Sequence, residues 1–409
     1  MNRARLASLL AERSPLYAIG DQLGMVGANF ILGVIVARSG TLEDFAQFGV
    51  LYALLVLLNF LHGPMLNEPL VLSSAAGGKA RSRSSLRVTF LIFLPAAGLI
   101  ALAAALQVTS VTPFTLILLF LAGSGSVMYW STKAELHCAL RHRSAFGATV
   151  LTSFAMIACA LLAMHHGMDA SNAAILAIAI SSVIGAIAGQ RVNGVRHGRL
   201  EVSASFRHAR IGVPSAAMLW LAANGTVLLL AHLGRLDDLA GLRVVLALLI
   251  PVNQVLIGLS SFLLPRFARQ GSGAGAKEKR RLGSLMVFCC LAALLFSGAV
   301  LLCGDVLLGL VYGSDYARFA PWLSVGACVL PLCWVTITLL RTRLRGLGDG
   351  RRLLGIYGLS LVVGLPLSFL LLDRVGGMGP ILSFSLIQVC IAIAFLISFL
   401  RKDKVTNGS

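Results

Sequence analysis

Two carboxylates, Asp21 and Glu68, fall inside long apolar stretches of the chain, each near one end of its stretch. An ionised acid within a membrane helix is unfavourable by roughly 2.5–3.5 kcal/mol on insertion scales, so such residues are kept where they take up a proton, bind a cation or pair with a base. Polar groups accompany them. Gln22 and Asn29 lie seven residues apart on one helical face, with Asp21 and Met25 beside it. Asn59 and His62 share a face of the next apolar stretch, ahead of Gly63, Pro64 and Pro69, which can bend a helix and free backbone carbonyls. Asn253 stands at the equivalent place later in the chain, near Asn224, Pro251 and Gln254. Cationic candidates form two groups. Lys133, His137 and Arg141 recur at four-residue spacing, and Arg341, Arg343 and Arg345 crowd the end of another apolar stretch. Guanidinium groups bind phosphate bidentately, so this pairing suits a phosphate-bearing substrate. Plainer roles fit the same residues: amides and His can hydrogen-bond neighbouring helices, bases can anchor helix ends to headgroups, and the acids can pair with a loop arginine.

The elements that must position these groups are membrane helices. Twelve apolar segments, from Leu16–Ala37 through Leu86–Gln107 to Met378–Leu400, are each about long enough to cross a ~30 Å hydrocarbon core. All but five of the 34 Lys and Arg residues fall in the termini and alternate connections. The exceptions are Arg38, Arg235, Arg243, Arg318 and Arg374. The rule that basic loops stay inside therefore predicts a multi-pass membrane protein with cytoplasmic termini. The polar start, Arg3 to Arg13, followed by a run long enough to span reads as a start-transfer helix that is retained.

Composition excludes several classes. Apolar residues make up 57% of the chain and charged ones 12%, with a mean hydropathy of +0.88, which no ordinary soluble domain shows. The net charge of +18 lies at helix ends facing anionic lipid, with no aromatic-interleaved basic module, so nucleic acid is not an expected partner. The eight cysteines lack metal-ligand spacing and read as small apolar filler. His165, His166 and Asp169 share a short loop but make a weak metal candidate, and no cofactor is expected. No phosphate-binding loop motif is present, and no connection is long enough to hold a catalytic domain, so an enzyme is not expected.

The chain also repeats itself. Ala37 to Ala46 lies against Ala231 to Ala240, and the register continues through Val50 with Val244 and Asn59 with Asn253. Trp130 with Leu140-Arg141 answers Trp334 with Leu344-Arg345. This predicts two six-helix bundles, residues 1–200 and 201–409, as parallel repeats around a central cavity into which the polar stripes point. Such a plan favours a transporter working by alternating access. Glu43-Asp44 after Thr41, and Asp237-Asp238 at the matching place, suit the first turns of helices, where acids complement the dipole.

Gly20-Asp21-Gln22, Asn29-Phe30, Ala37-Arg38, Phe48-Gly49 with Tyr52, and Asn67-Glu68-Pro69-Leu70-Val71 resemble the polysaccharide-exporter branch of the multidrug/oligosaccharidyl-lipid/polysaccharide exporter superfamily. The resemblance implies a flippase of the bacterial inner membrane that moves an undecaprenyl-diphosphate-linked oligosaccharide for exopolysaccharide, capsule or O-antigen assembly, alongside a glycan polymerase and a chain-length regulator. Asp21 and Glu68 would then couple transport to protons or sodium. The deep first-bundle arginines of peptidoglycan-precursor flippases are missing here, which argues against that role. The alternative of the same fold is a multidrug/cation antiporter, in which the carboxylates bind the drug cation.

Overall fold

The computed structural model describes residues 3–69, 97–98, 100–102, 104, 111–139, 141–193, 202–270 and 276–406. The chain is an all-helical polytopic membrane protein. Eleven long helices are described: α1 (Arg3–Ser39), α2 (Leu42–His62), α3 (Pro113–Cys138), α4 (His142–His165), α5 (Ala170–Asn193), α6 (Val202–His232), α7 (Leu236–Gln270), α8 (Ala276–Tyr312), α9 (Ala320–Gly346), α10 (Gly350–Arg374) and α11 (Gly379–Thr406). Each includes, or forms with an adjoining short turn, a stretch long and apolar enough to cross a membrane. The expected third span lies mostly outside the described residues. Several helices outrun their apolar segments, as α1 does from Arg3 and α7 does to Gln270, so some of the basic connections are helical extensions rather than loops.

Local chemistry sets the helix ends. Thr41 caps α2 in a reciprocal box: its hydroxyl accepts the Asp44 N–H at 3.1 Å, and Asp44 accepts the Thr41 N–H at 2.8 Å. Thr112 caps α3 ahead of Pro113, and Asp169 accepts the Asn172 N–H at 2.8 Å at the start of α5. The second acid pair behaves differently. Asp238 is bridged by Arg235 at 2.6 Å and Asp237 by Arg318 at 3.3 Å, so salt bridges hold this end where a cap holds the other. Helix α2 does not stop at His62: it runs into a π turn, Gly63–Asn67, where the Glu68 N–H reaches back to the Gly63 carbonyl. Pro64 has no N–H to give to the regular ladder, which explains the wider turn at this point.

The chain divides into two compact units, Met1–Val213 and Pro214–Ser409, with the division inside α6 at Pro214. Within the first unit α3 and α4 both pack along α5, α1 packs on α4, and α2 packs on α3 and α5. Within the second unit α9 packs on α7, α8 and α11, and α10 on α11. The first unit's α2–α3, α3–α5 and α4–α5 contacts and the second unit's α7–α9, α9–α11 and α10–α11 contacts fall in the same order along the chain. Small residues permit the closest approaches. A Cβ on Gly185 would collide with Thr152 Oγ1 and sit 2.8 Å from the Tyr129 ring, and one on Gly241 would run into the Phe319 ring.

Candidate functional site

The first unit holds a polar cluster centred on Asp21. Glycines set up the helix contact that creates it: Cβ atoms on Gly20 and Gly24 would lie 3.1 Å from the Phe146 ring and 3.4 Å from Thr149 Cγ2, so α1 lies close against α4. Asp21, between these glycines, is fully buried. Three side chains converge on its carboxylate. Lys133 Nζ lies 2.9 Å from Oδ1, His137 Nε2 donates to Oδ2 at 3.0 Å, and the Thr149 hydroxyl donates a very short hydrogen bond to Oδ1. Thr149 has a single proton and gives it to Asp21, so Tyr129 must be the donor in its 2.7 Å hydrogen bond to Thr149. The Lys133 ammonium also lies 5.5 Å from the centre of the Tyr129 ring, a cation–π distance. Gly185, by lacking a Cβ, makes room for that ring.

The cluster grades outward. The Lys133 side chain is 11% exposed and that of His137 27%, and beyond His137 comes the half-buried His142, with 3.2 Å between the two Nδ1 atoms. Because the His137 Nε2–H points at Asp21, its Nδ1 is the acceptor and His142 Nδ1–H the donor.

Other predicted site residues lie elsewhere. Gln22 and Asn29 are half-buried on α1, whereas Asp21 is fully buried and meets Lys133 and His137 of α3 and Thr149 of α4. Asn59 is exposed on α2, whereas His62 is fully buried with its Nε2 2.8 Å from Ser131 Oγ. The two also part company, because His62 turns toward α3 and Trp130. Glu68 is half-buried just beyond the π turn. Lys133 joins Asp21 instead of waiting for a phosphate, and Arg141 sits in the turn between α3 and α4. In the second unit Asn253 is half-buried on α7. Arg343 lies over the Phe399 ring at 5.1 Å, and Arg341 and Arg345 lie close enough to the buried Tyr357 hydroxyl to act on it electrostatically. These three arginines thus engage α10 and α11 of their own unit. Sequence reasoning missed Tyr129, His142 and Thr149, although His142 and Thr149, seven residues apart, share a face of α4.

Known structures share this architecture from end to end. DinF-BH, a MATE multidrug transporter solved in complex with rhodamine 6G, aligns with a TM-score of 0.71 at 15% identity over 96% of this chain and 95% of its own. The fold is that of the MATE transporters. VcmN of Vibrio cholerae, a MATE transporter crystallised as a point mutant, aligns at a TM-score of 0.67 and 15% identity over 98% of both chains. An inward-facing multidrug resistance MATE family transporter of the MOP superfamily aligns at 0.69 and 14% identity over 95% and 96%. No family model matches the sequence, and no curated protein matches it either. The likeness is therefore one of fold alone.

Proposed function

We propose that this chain is a secondary exporter of the multidrug antiporter type, in which Asp21 exchanges a proton as the protein alternates access between the two membrane faces. The observation that carries this reading is the fully buried carboxylate on the first span, held by Lys133, His137 and Thr149 from two other helices. Protonating Asp21 cancels the charge that binds the Lys133 ammonium and weakens the hydrogen bonds from His137 and Thr149. The contacts holding α1 to α3 and α4 would loosen together. One protonation event would thus bias a helix position, which is what ion-coupled conformational change requires.

The donor set favours a proton over sodium. A hard metal cation needs several oxygen ligands, whereas an ammonium and an imidazole N–H already face these carboxylate oxygens. It also argues against a drug cation on Asp21 itself, since Lys133 fills that place. The fold neighbour seen with rhodamine 6G supports an amphipathic cation as the exported class.

Purified protein in proteoliposomes, loaded with rhodamine 6G and given an imposed pH gradient, tests the reading. Gradient-driven movement in wild type and its loss in Asp21→Asn at equal insertion are expected. Wild-type rates in Asp21→Asn would overturn it. The glycolipid-flippase reading rests on Asn67-Glu68-Pro69 and the basic end of α9. It gains ground if a fluorescent polyprenyl-diphosphate oligosaccharide flips while the rhodamine does not move.

A further inference from the structure

We infer that His137 and His142 form a two-imidazole proton relay joining Asp21 to the membrane face at the α3–α4 turn. This rests on Asp21 being the exchanging carboxylate and adds its route. The geometry is a continuous line of hydrogen-bonding atoms: Asp21 Oδ2 to His137 Nε2 at 3.0 Å, then His137 Nδ1 to His142 Nδ1 at 3.2 Å. Asp21 is fully buried, whereas His137, its side chain 27% exposed, and His142 beside the turn are both only partly buried. Asp21 has no water access of its own, so a proton must reach it through a side chain. Among the described residues Lys133 and Thr149 are its other polar contacts, and neither suits the task. An ammonium has no free lone pair to receive a proton, and the Thr149 hydroxyl leads inward to Tyr129.

The transfer balances. A proton from water binds His142 Nε2. The His142 Nδ1–H bond breaks as that proton moves to His137 Nδ1, and the His137 Nε2–H bond breaks as its proton moves to Asp21 Oδ2. One proton has entered, Asp21 is neutral, and both imidazoles are neutral in their other tautomer, which ring rotation resets. Among the described residues, the charged and titratable groups in contact along this line are Asp21 from α1, Lys133 from the same helix as His137, and His142 from the start of α4. Arg141 and Arg143 flank His142 in sequence. A cationic intermediate centred on the imidazoles is disfavoured by Lys133 and offset by Asp21, so concerted passage suits the site better than storage of charge.

The test is a pH jump on the purified full chain in lipid, with infrared detection of the Asp21 carboxylic acid, which needs no transported substrate. The band is assigned by its absence in Asp21→Asn. His142→Gln and His137→Gln keep a hydrogen-bonding side chain but cannot pass a proton between two ring nitrogens. In each variant the band should form about 100-fold more slowly, the lower end of what positioned proton transfer contributes. Added imidazole should restore the rate in His142→Gln, where the gap opens at the half-exposed end. An unchanged rate in both variants, or slowing that imidazole does not relieve in His142→Gln, overturns the relay while leaving Asp21 as the exchanging group. If wild type itself shows no carboxylic acid band, the underlying reading of Asp21 fails, and the relay with it.

Discussion

Lys133→Met is the sharpest perturbation of the Asp21 cluster. At 2.9 Å and an effective dielectric of about 20, the gross attraction between ammonium and carboxylate is about 6 kcal/mol. Desolvation of both groups offsets most of that. The two ends are unequal, however. Asp21 is fully buried, whereas Lys133 is 11% exposed and carries a flexible stem. Removing Lys133 leaves a charge that cannot reach water, a loss expected at about 3–5 kcal/mol. Asp21→Asn leaves an ammonium that can extend toward the rim while the amide oxygen still accepts from Thr149, so a loss of about 1–2 kcal/mol is expected. The double variant Asp21→Asn with Lys133→Met should then be close to Asp21→Asn alone, so the coupling should be nearly the whole Lys133→Met loss, about 3–5 kcal/mol. Thermal unfolding of the four proteins in one detergent, at one protein concentration, measures the cycle. Additive losses would refute the argument, because they would mean that the two side chains do not depend on each other.

Further outcomes follow from the packing and the charge pattern. Gly185→Ala drives a Cβ into Thr152 and Tyr129 and should destabilise by about 1–3 kcal/mol, while Gly147→Ala, with nothing within 4 Å, should be neutral or stabilising by about 0.5–1 kcal/mol in the same melts. Thr41→Ala breaks the capping box of α2 and should lower stability by about 1 kcal/mol, read by unfolding and by faster amide exchange in the first turn. Reporter fusions after His166, Ser314 and Ser409 should report outside, outside and inside, and a reversal at any one would overturn the orientation drawn from the basic connections. Arg341 and Arg343 replaced together should disturb the basic end of α9, where Arg343 meets Phe399, more than replacing Arg401 and Lys402, compared as transport at equal membrane abundance.

The all-helical membrane architecture was legible because each span must be apolar over its whole length and the basic residues alternate between connections. The site was legible only in halves. Four-residue spacing correctly put Lys133 and His137 on one face of α3, yet nothing within that helix says that the face meets Asp21. The rotation of α1 depends on Gly20 and Gly24 lying against Phe146 and Thr149, a contact between residues more than a hundred positions apart. Grouping Asp21 with Gln22 and Asn29 followed from adjacency along α1 and missed that rotation. Arg341, Arg343 and Arg345 suggested a phosphate mouth because three guanidinium groups in one turn have that capacity. Their neighbours Phe399 and Tyr357 come from other helices and could not be read from spacing.

The π turn at Gly63–Asn67 carries a consequence for comparing the two halves of the chain. A five-residue reach uses one residue more than a regular turn, so Glu68 and Pro69, just beyond Asn67, are out of phase by one position with a straight helix of the same length. The match between halves that runs cleanly to Asn59 and Asn253 precedes that slip. Just past it, an ungapped comparison places Glu68 and Pro69 opposite the wrong neighbours, rotated by about 100°. Glu68 is the first charged residue on the far side. Its counterpart must be sought one position nearer than the earlier register implies, and a helical wheel drawn unbroken from Leu42 assigns it to the wrong face.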